Sequence, residues 1–448
     1  MRPPKIFSSK HNIAVVGLYR SGKTVFITSL INHLMHHRPD ELKLGKGNVK
    51  ITFDEELALQ NGFARFPYEE FRYENDGTWP SKTKATFQYR CSFFRSDWGW
   101  SKGQLSLVDI PGERLSDVAI AKLSYAQWSD TLLQKIFQDS HYRDAARTYQ
   151  ASASDESASE ESVIDSYRAL LAGLYRSFRP IISPSTFLVT VDGDFNGTAI
   201  MRGDHSSAYC GISPTEQFAP LPQKTRQANP ELSKLFASRY AEYRKTVASP
   251  LVKSLSSCNE LVILLDVTTL LAANTGMYNG NRALLELLFQ ILSPGKGFFG
   301  TSLDLFRKGF GGKISRRGIA KIALVATKAD KVHDSQRDKL TDLARDMAEG
   351  IVERQRQRTS NLDCNYFSCA AVKSTFSQAE GQLRGHLLGD EDPTEYSVSE
   401  LPSQWPGQWK QGDYIFPDVA PLFPENAALA PDHIGMDHIV DFLLQSQM

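Results

Sequence analysis

The stretch Asn12-Ile-Ala-Val-Val-Gly-Leu18 has the pattern of an apolar strand, and it runs into Gly17-Leu-Tyr-Arg-Ser-Gly-Lys-Thr24. Behind it Ile27, Leu30, Ile31 and Leu34 recur at helical spacing. A strand, a G-x-x-x-x-G-K-T loop and a helix, in that order, predict a phosphate-binding loop. Gly17 and Gly22 free the backbone to curl, so that Tyr19, Arg20 and Ser21 can turn successive N–H groups inward around a phosphate. The helix starting near Ser21 aims its positive end at the same phosphates. In such a loop Lys23 reaches the β- and γ-phosphates, and the Thr24 hydroxyl ligates Mg²⁺.

Working outward, Phe87, Tyr89, Cys91 and Phe93 alternate with Gln88, Arg90 and Ser92, which predicts a half-buried strand. A turn at 97–103 and a second strand, Gln104–Val108, follow as a hairpin, and that strand runs into Asp109-Ile-Pro-Gly112. An aspartate at a strand end behind a phosphate loop is placed to hold Mg²⁺ through water, with the Gly112 N–H sensing the γ-phosphate. Further on, the buried strand Lys321–Ala326 enters Thr327-Lys-Ala-Asp330. The Asp330 carboxylate can accept from guanine N1–H and from its exocyclic amine. Adenine offers a donor at neither position, so this pairing discriminates between the bases. The Lys328 stem can cover the base face. The next short strand, Asn365–Phe367, enters Ser368-Cys369-Ala370, where the Ala370 N–H is expected to meet guanine O6.

The order of these motifs resembles a GTPase domain of the P-loop superfamily over about half the chain. Gly17–Thr24, Asp109-Ile-Pro-Gly-Glu113 and the helical insertion behind them resemble the YcjX-like family of bacterial P-loop proteins over nearly its whole length. That resemblance implies a cytoplasmic GTP-binding protein linked to stress responses. Two positions depart from the common GTPase pattern. Thr327 stands where small GTPases have Asn, and Glu113 stands where many have a water-orienting Gln. A carboxylate is repelled by the γ-phosphate, so slow intrinsic turnover is expected. Arg20 is a source of positive charge at the phosphates or a partner in an exposed salt bridge. The Thr completing the Mg²⁺ shell is expected at Thr83, with Thr78 and Thr86 as alternatives.

These readings predict an α/β P-loop NTPase domain of the GTPase type, with a mostly parallel sheet carrying one antiparallel strand, plus a large mainly helical insertion. The predicted division is GTPase domain at 1–112, helical insertion at 113–258, GTPase domain resumed at 259–380, a small insertion at 381–429 and a closing helix at 430–448. Within the large insertion the acidic, Ser/Ala-rich stretch 151–162 reads as a linker, and Phe187–Asp192 as a short strand.

At ~150 residues per domain, 448 residues exceed a minimal nucleotide-binding domain. With Lys plus Arg and Asp plus Glu both at 51, the net charge is zero, which argues against a dedicated nucleic-acid binder. The five cysteines (Cys91, Cys210, Cys258, Cys364, Cys369) are odd in number and widely spaced, so a disulfide framework or cysteine zinc site is not expected. His33, His36 and His37 share a helix, but no acidic or Cys run completes a metal site, and they read as a surface helix end. The longest apolar run, Leu261–Leu265, stops at Asp266, far short of a membrane span. The segment 294–321 carries seven basic residues against one acidic, with four phenylalanines. It is either a basic-aromatic loop docking to an anionic membrane surface or a protein partner, or a connection whose phenylalanines pack on the body. The expected chemistry is Mg²⁺-dependent GTP hydrolysis to GDP and phosphate. The alternatives are a nucleotide-gated scaffold without hydrolysis, and an ATPase.

Overall fold

The computed structural model describes residues 9–17, 21–36, 44, 49–60, 63–73, 87–98, 102–110, 112–117, 120, 121, 123–138, 143–176, 184–188, 212–292, 319–357, 362–390, 392–424 and 429–445. They fall into two compact units. The first contains the described residues up to Gly112, Leu255–Tyr278 and those from Ile319 onward; the second contains Glu113–Ser254 together with 279–292.

The first unit is built on one sheet: β1 (Lys10–Gly17), β2 (Ile51–Glu56), β3 (Ala64–Arg65), β4 (Phe87–Arg95), β5 (Lys102–Ile110), β6 (Glu260–Leu265), β7 (Lys321–Thr327) and β8 (Asp363–Cys369). Its order is β2-β4-β5-β1-β6-β7-β8, with the two-residue β3 beside β4. The strands from β5 to β8 are parallel, and β4 runs against both β5 and β2. This is the α/β P-loop GTPase-like arrangement, mostly parallel with one full antiparallel strand. Ile263, Leu264 and their neighbours in β6 are fully buried, as a central parallel strand covered on both faces requires.

Helix Lys23–His36 buries Phe26, Ile27, Leu30, Ile31 and Leu34, in the same core as Val15, Tyr89, Cys91 and Val262. Helix Met436–Leu444 adds Met436, Ile439, Val440 and Leu443 to that core. Its last carbonyls, which no helical N–H can reach, are taken by cations. Lys321 Nζ donates to Phe442 O (2.8 Å) and Gln445 O (2.7 Å), and Arg95 Nη1 to Leu444 O (3.1 Å). Burial holds the Lys321 ammonium below its ordinary pKa.

Several expectations are corrected. β4 is more buried than a half-solvated strand: Gln88 and Ser92, on its polar face, are as buried as Tyr89 and Phe93, while Arg90 and Phe94 on that face stay partly open. Gln88 and Ser92 are covered because they bond across the sheet. Gln88 Nε2 donates to Ser106 Oγ (3.0 Å), Gln60 N–H donates to Gln88 Oε1 (2.9 Å), and Ser92 Oγ donates to Asp54 Oδ2 (2.7 Å). The region 40–82, irregular in pattern, contains β2, β3 and helix Tyr68–Tyr73. A second sheet of three short antiparallel strands also lacked a sequence signal: β9 (Thr375–Ser377), β10 (Gln382–Gly385) and β11 (Thr394–Ser397).

In the second unit the stretch 151–162 is mostly helix. Helices Arg143–Ser154 and Glu160–Arg176 leave only 155–159 between them. Tyr149, Ala153, Val163 and Tyr167 face inward while the serines and acids face out, so a polar composition concealed an amphipathic pattern. Of the expected strand Phe187–Asp192, Phe187 and Leu188 end a 3₁₀ turn, Ser185–Leu188, and 189–192 lie outside the described residues. The unit's core gathers Trp128, Tyr149, Tyr167, Phe187, Phe218, Phe236 and Tyr240. Helix Pro230–Tyr243, capped by the Asn229 side chain on Leu232 N–H, continues through a π-helical turn, Arg244–Ala248, into helix Ser249–Ser256. Cys91, Cys258, Cys364 and Cys369 are buried and form no disulfide among the described residues.

Candidate functional site

β1, β5, β7 and β8 are neighbours or near neighbours and run parallel, so the segments following them leave one edge of the sheet. β1 ends at Gly17, with Val16 in register with Ile110 of β5. Thr327 of β7 is in register with Cys369 of β8. Carboxyl ends of parallel strands are where open α/β sheets bind ligands.

At the first of these ends Gly22 has φ +73°, a conformation that glycine adopts without strain, and it leads into the helix, whose first bond runs from Phe26 N–H to Gly22 O (2.8 Å). Ser21 is buried. The Lys23 ammonium forms an ion pair with Asp109 Oδ1 and donates to Ile110 O at 3.1 Å. Asp109 is 1% exposed, and its other oxygen, Oδ2, is buried with no hydrogen-bond partner among the described residues. An unsatisfied carboxylate oxygen in such a place is costly unless a cation or donor completes it. Thr24 lies in the first turn of the same helix. Gly112 opens a 3₁₀ turn, Gly112–Asp117, that contains Glu113.

At the second end the backbone of Lys328 is left-handed (φ 58°, ψ 41°); among the described residues it alone, glycine aside, has positive φ. That turn re-aims the chain, and the Lys328 ammonium pairs with Asp266 Oδ2 at 2.6 Å. Asp266 also caps helix Val267–Ala273, accepting from Thr269 N–H (2.9 Å), Thr268 Oγ1 (2.9 Å) and Thr269 Oγ1 (2.6 Å). Burial works to raise its pKa, but the Lys328 charge and these donors prevail and hold it below the ordinary carboxylate value. Thr327 Oγ1 donates back to Leu265 O (3.3 Å). Asp330 is buried, and burial raises its pKa although Ser374 N–H donates to its Oδ2 at 3.0 Å. Thr375, the first residue of β9, donates its hydroxyl to the Asp330 carbonyl. The small sheet is thus tied to the Thr327–Asp330 turn.

At the third end the chain is tied to a distant segment. The Ala370 N–H donates to Ile434 O (3.0 Å), and Ile434 N–H donates to Ala370 O (2.8 Å). The Ala370 N–H is thus engaged in a two-bond bridge to Ile434. Gly435 follows with φ +69°, and a Cβ there would collide with Ser368 O, so only glycine fits between the bridge and the helix behind it. His33 is also corrected. It is fully buried, with its ring edge-on to His433 at 4.6 Å, and is no surface helix end.

Tyr19, Arg20, Thr78, Thr83, Thr86, His37, Cys210 and nearly all of 294–321 lie outside the described residues, as does the side chain of Glu113. Sequence reasoning missed Asp266, Ser374 and Gly435. Asp266 carried a readable signal, an aspartate ahead of Val-Thr-Thr at the end of a buried strand. Ser374 and Gly435 carried none.

The model of the YcjX-like family, DUF463, matches residues 12–448. The chain belongs to that family. Among relatives of this YcjX-like chain, the "Ras-like GTPase YcjX" of Escherichia coli is 24% identical over 473 residues, covering 97% of this chain and 95% of that protein. The protein of the same name from Shewanella oneidensis is 24% identical over 498 residues, covering 97% and 94%. No helix among the described residues is long and apolar enough to cross a membrane.

Proposed function

We propose that this YcjX-like chain binds GTP and GDP with Mg²⁺ and hydrolyses GTP slowly to GDP and phosphate. The observation that carries the reading is the convergence of Lys23, Asp109 and the Thr327–Asp330 turn on the carboxyl ends of β1, β5 and β7 in one sheet. The GTPase names of the relatives, at 24% identity, support it.

In this reading the Gly17–Thr24 loop wraps the phosphates and Lys23 leaves Asp109 to meet them. Mg²⁺ suits the donors present: a carboxylate with an unused buried oxygen, Asp109 Oδ2, and the Thr24 hydroxyl are hard oxygen ligands. Thr83 is the proposed further ligand. Held by these residues, the ion would supply positive charge to offset the negative charge that develops on the phosphate. Lys23 and the loop amides stabilise the same charge, water attacks the γ-phosphate in line, and Gly112 reports the γ-phosphate. Asp330 recognises the guanine edge with Thr327 and Lys328 beside it, and Ser368 and Cys369 close the pocket. Arg20 adds positive charge at the phosphates. Glu113 orients water poorly, which makes turnover slow. We place the protein in the cytoplasm, peripheral at the membrane where 294–321 docks, in a stress-related role.

Calorimetric titration with GTP, GDP and ATP, each with and without Mg²⁺, tests the reading. Tighter binding of the guanine nucleotides is expected; equal affinity for ATP would overturn guanine specificity. Glu113 favours a second reading, a nucleotide-gated scaffold. Single-turnover hydrolysis separates the two, because a rate equal to that in buffer leaves only the scaffold.

A further inference from the structure

The 3₁₀ turn Gly112–Asp117 starts at the glycine of the Asp-x-x-Gly loop and ends on a fully buried carboxylate. Asp117 accepts three hydrogen bonds from distant parts of the helical unit: Ser185 N–H at 2.9 Å, Ser185 Oγ at 2.6 Å and the Tyr243 hydroxyl at 2.8 Å. The Tyr243 hydroxyl in turn accepts from Thr186 Oγ1 at 3.1 Å. The residues around it hold the chain just beyond Asp117. The Tyr240 hydroxyl lies 3.1 Å from Ile120 O and 2.9 Å from Leu123 O, and Arg244 Nη1 lies 3.4 Å from Leu123 O.

Tyr243 is the last α-helical residue before the π turn Arg244–Ala248, which leads through Ser249–Ser256 towards β6. A π turn holds one residue more than an α turn. Passing to α geometry would take a one-residue shift in hydrogen bonding, the kind of discrete step on which a switch can be built. The Asp117 bonds cannot be released singly, since each donor or acceptor left behind would be buried and unpaired. Release of the network is therefore all or none.

We infer that the Asp117–Tyr243 contact is the coupling point through which the Asp-x-x-Gly loop shifts the π turn and the helix that returns the chain to β6. The inference rests on the proposed nucleotide site and adds the relay that regulates its output.

Hydrogen exchange of the full chain, read by mass spectrometry with GDP·Mg²⁺ and with a non-hydrolysable GTP analogue·Mg²⁺, tests it. In the unaltered protein, amide exchange across 244–256 should differ between the two nucleotides by about tenfold, a coupling of ordinary size. Tyr243→Phe removes only the hydroxyl that joins Asp117 to Thr186. It should erase that difference while both nucleotide affinities stay within about threefold of the original. Asp117→Asn should act alike where it folds, and Tyr243→Phe decides the matter where it does not. Equal exchange of the unaltered protein in both nucleotides, or a difference that survives in Tyr243→Phe, overturns the relay. Absence of nucleotide binding in calorimetry marks instead the failure of the site reading, and the relay falls with it.

Discussion

Asp117 gives the clearest quantitative expectation. Its carboxyl is completely buried, and burial pushes its pKa from 3.8 to about 6, although Ser185 and Tyr243 donate to it and Arg114 lies near. The folded protein thus holds the Asp117 proton more tightly than the unfolded chain. The associated stabilisation is fully present below pH ~4 and is lost as pH rises through about 6. A gap of about two pKa units corresponds to roughly 3 kcal/mol. About 1 kcal/mol of this survives at pH 5 and essentially none at pH 7.5.

Asp117→Asn removes the titration and leaves the shape. Other titrating groups are common to both proteins and cancel in the difference. The expectation is that the stability advantage of Asp117 over Asn shrinks by about 1 kcal/mol between pH 5 and pH 7.5. Urea unfolding of both proteins at several pH values measures it, with protection of amides in helix Tyr125–Gln138 reporting the helical unit. A difference independent of pH would refute the account, because a group that titrates alike in folded and unfolded chains contributes no slope.

Three further outcomes are expected. Lys23→Met leaves the buried Asp109 carboxylate without its cation, so stability should fall by about 3 kcal/mol, and adding Asp109→Asn should recover most of it in thermal unfolding. Under the guanine reading, Asp330→Asn loses a charged acceptor for two donors; GTP affinity should drop by about 100-fold while XTP gains, and unchanged GTP binding in calorimetry would reject Asp330 as the reader. Gly435→Ala must force a Cβ into φ +69° against Ser368 O, and a loss of about 2 kcal/mol is expected; a neutral melting curve would show that the bridge to Ala370 can yield.

The elements legible in the sequence are those whose residue types answer a local requirement. Gly17–Thr24 declares a strand, a turn and a helix because glycine, lysine and threonine each have a reason to stand at fixed offsets. The buried runs Leu261–Leu265 and Lys321–Ala326 declare central strands because both faces are covered. Illegible were β2, an edge strand whose partner β4 lies far along the chain, and β9–β11, whose three or four residues each are too few to show a period. The stretch 151–162 misled because its composition is that of a linker while one side of each flanking helix is buried. The bridge at Ala370 was illegible for another reason: its position after β8 is as expected, but its partner Ile434 is distant in sequence.

By itself, then, the sequence determined the order of strand ends, the passage from β1 into its helix and the alternation of apolar residues, because backbone preference and periodicity act over a few neighbours. Tertiary structure decided which charges meet. Lys23 pairs with Asp109, Lys328 with Asp266, and Asp117 lies beneath Ser185 and Tyr243. Each of these partnerships joins segments far apart in the chain. A buried carboxylate accepts whichever cation or donor the packed sheet and helices bring within about 3 Å, and no local pattern records that choice.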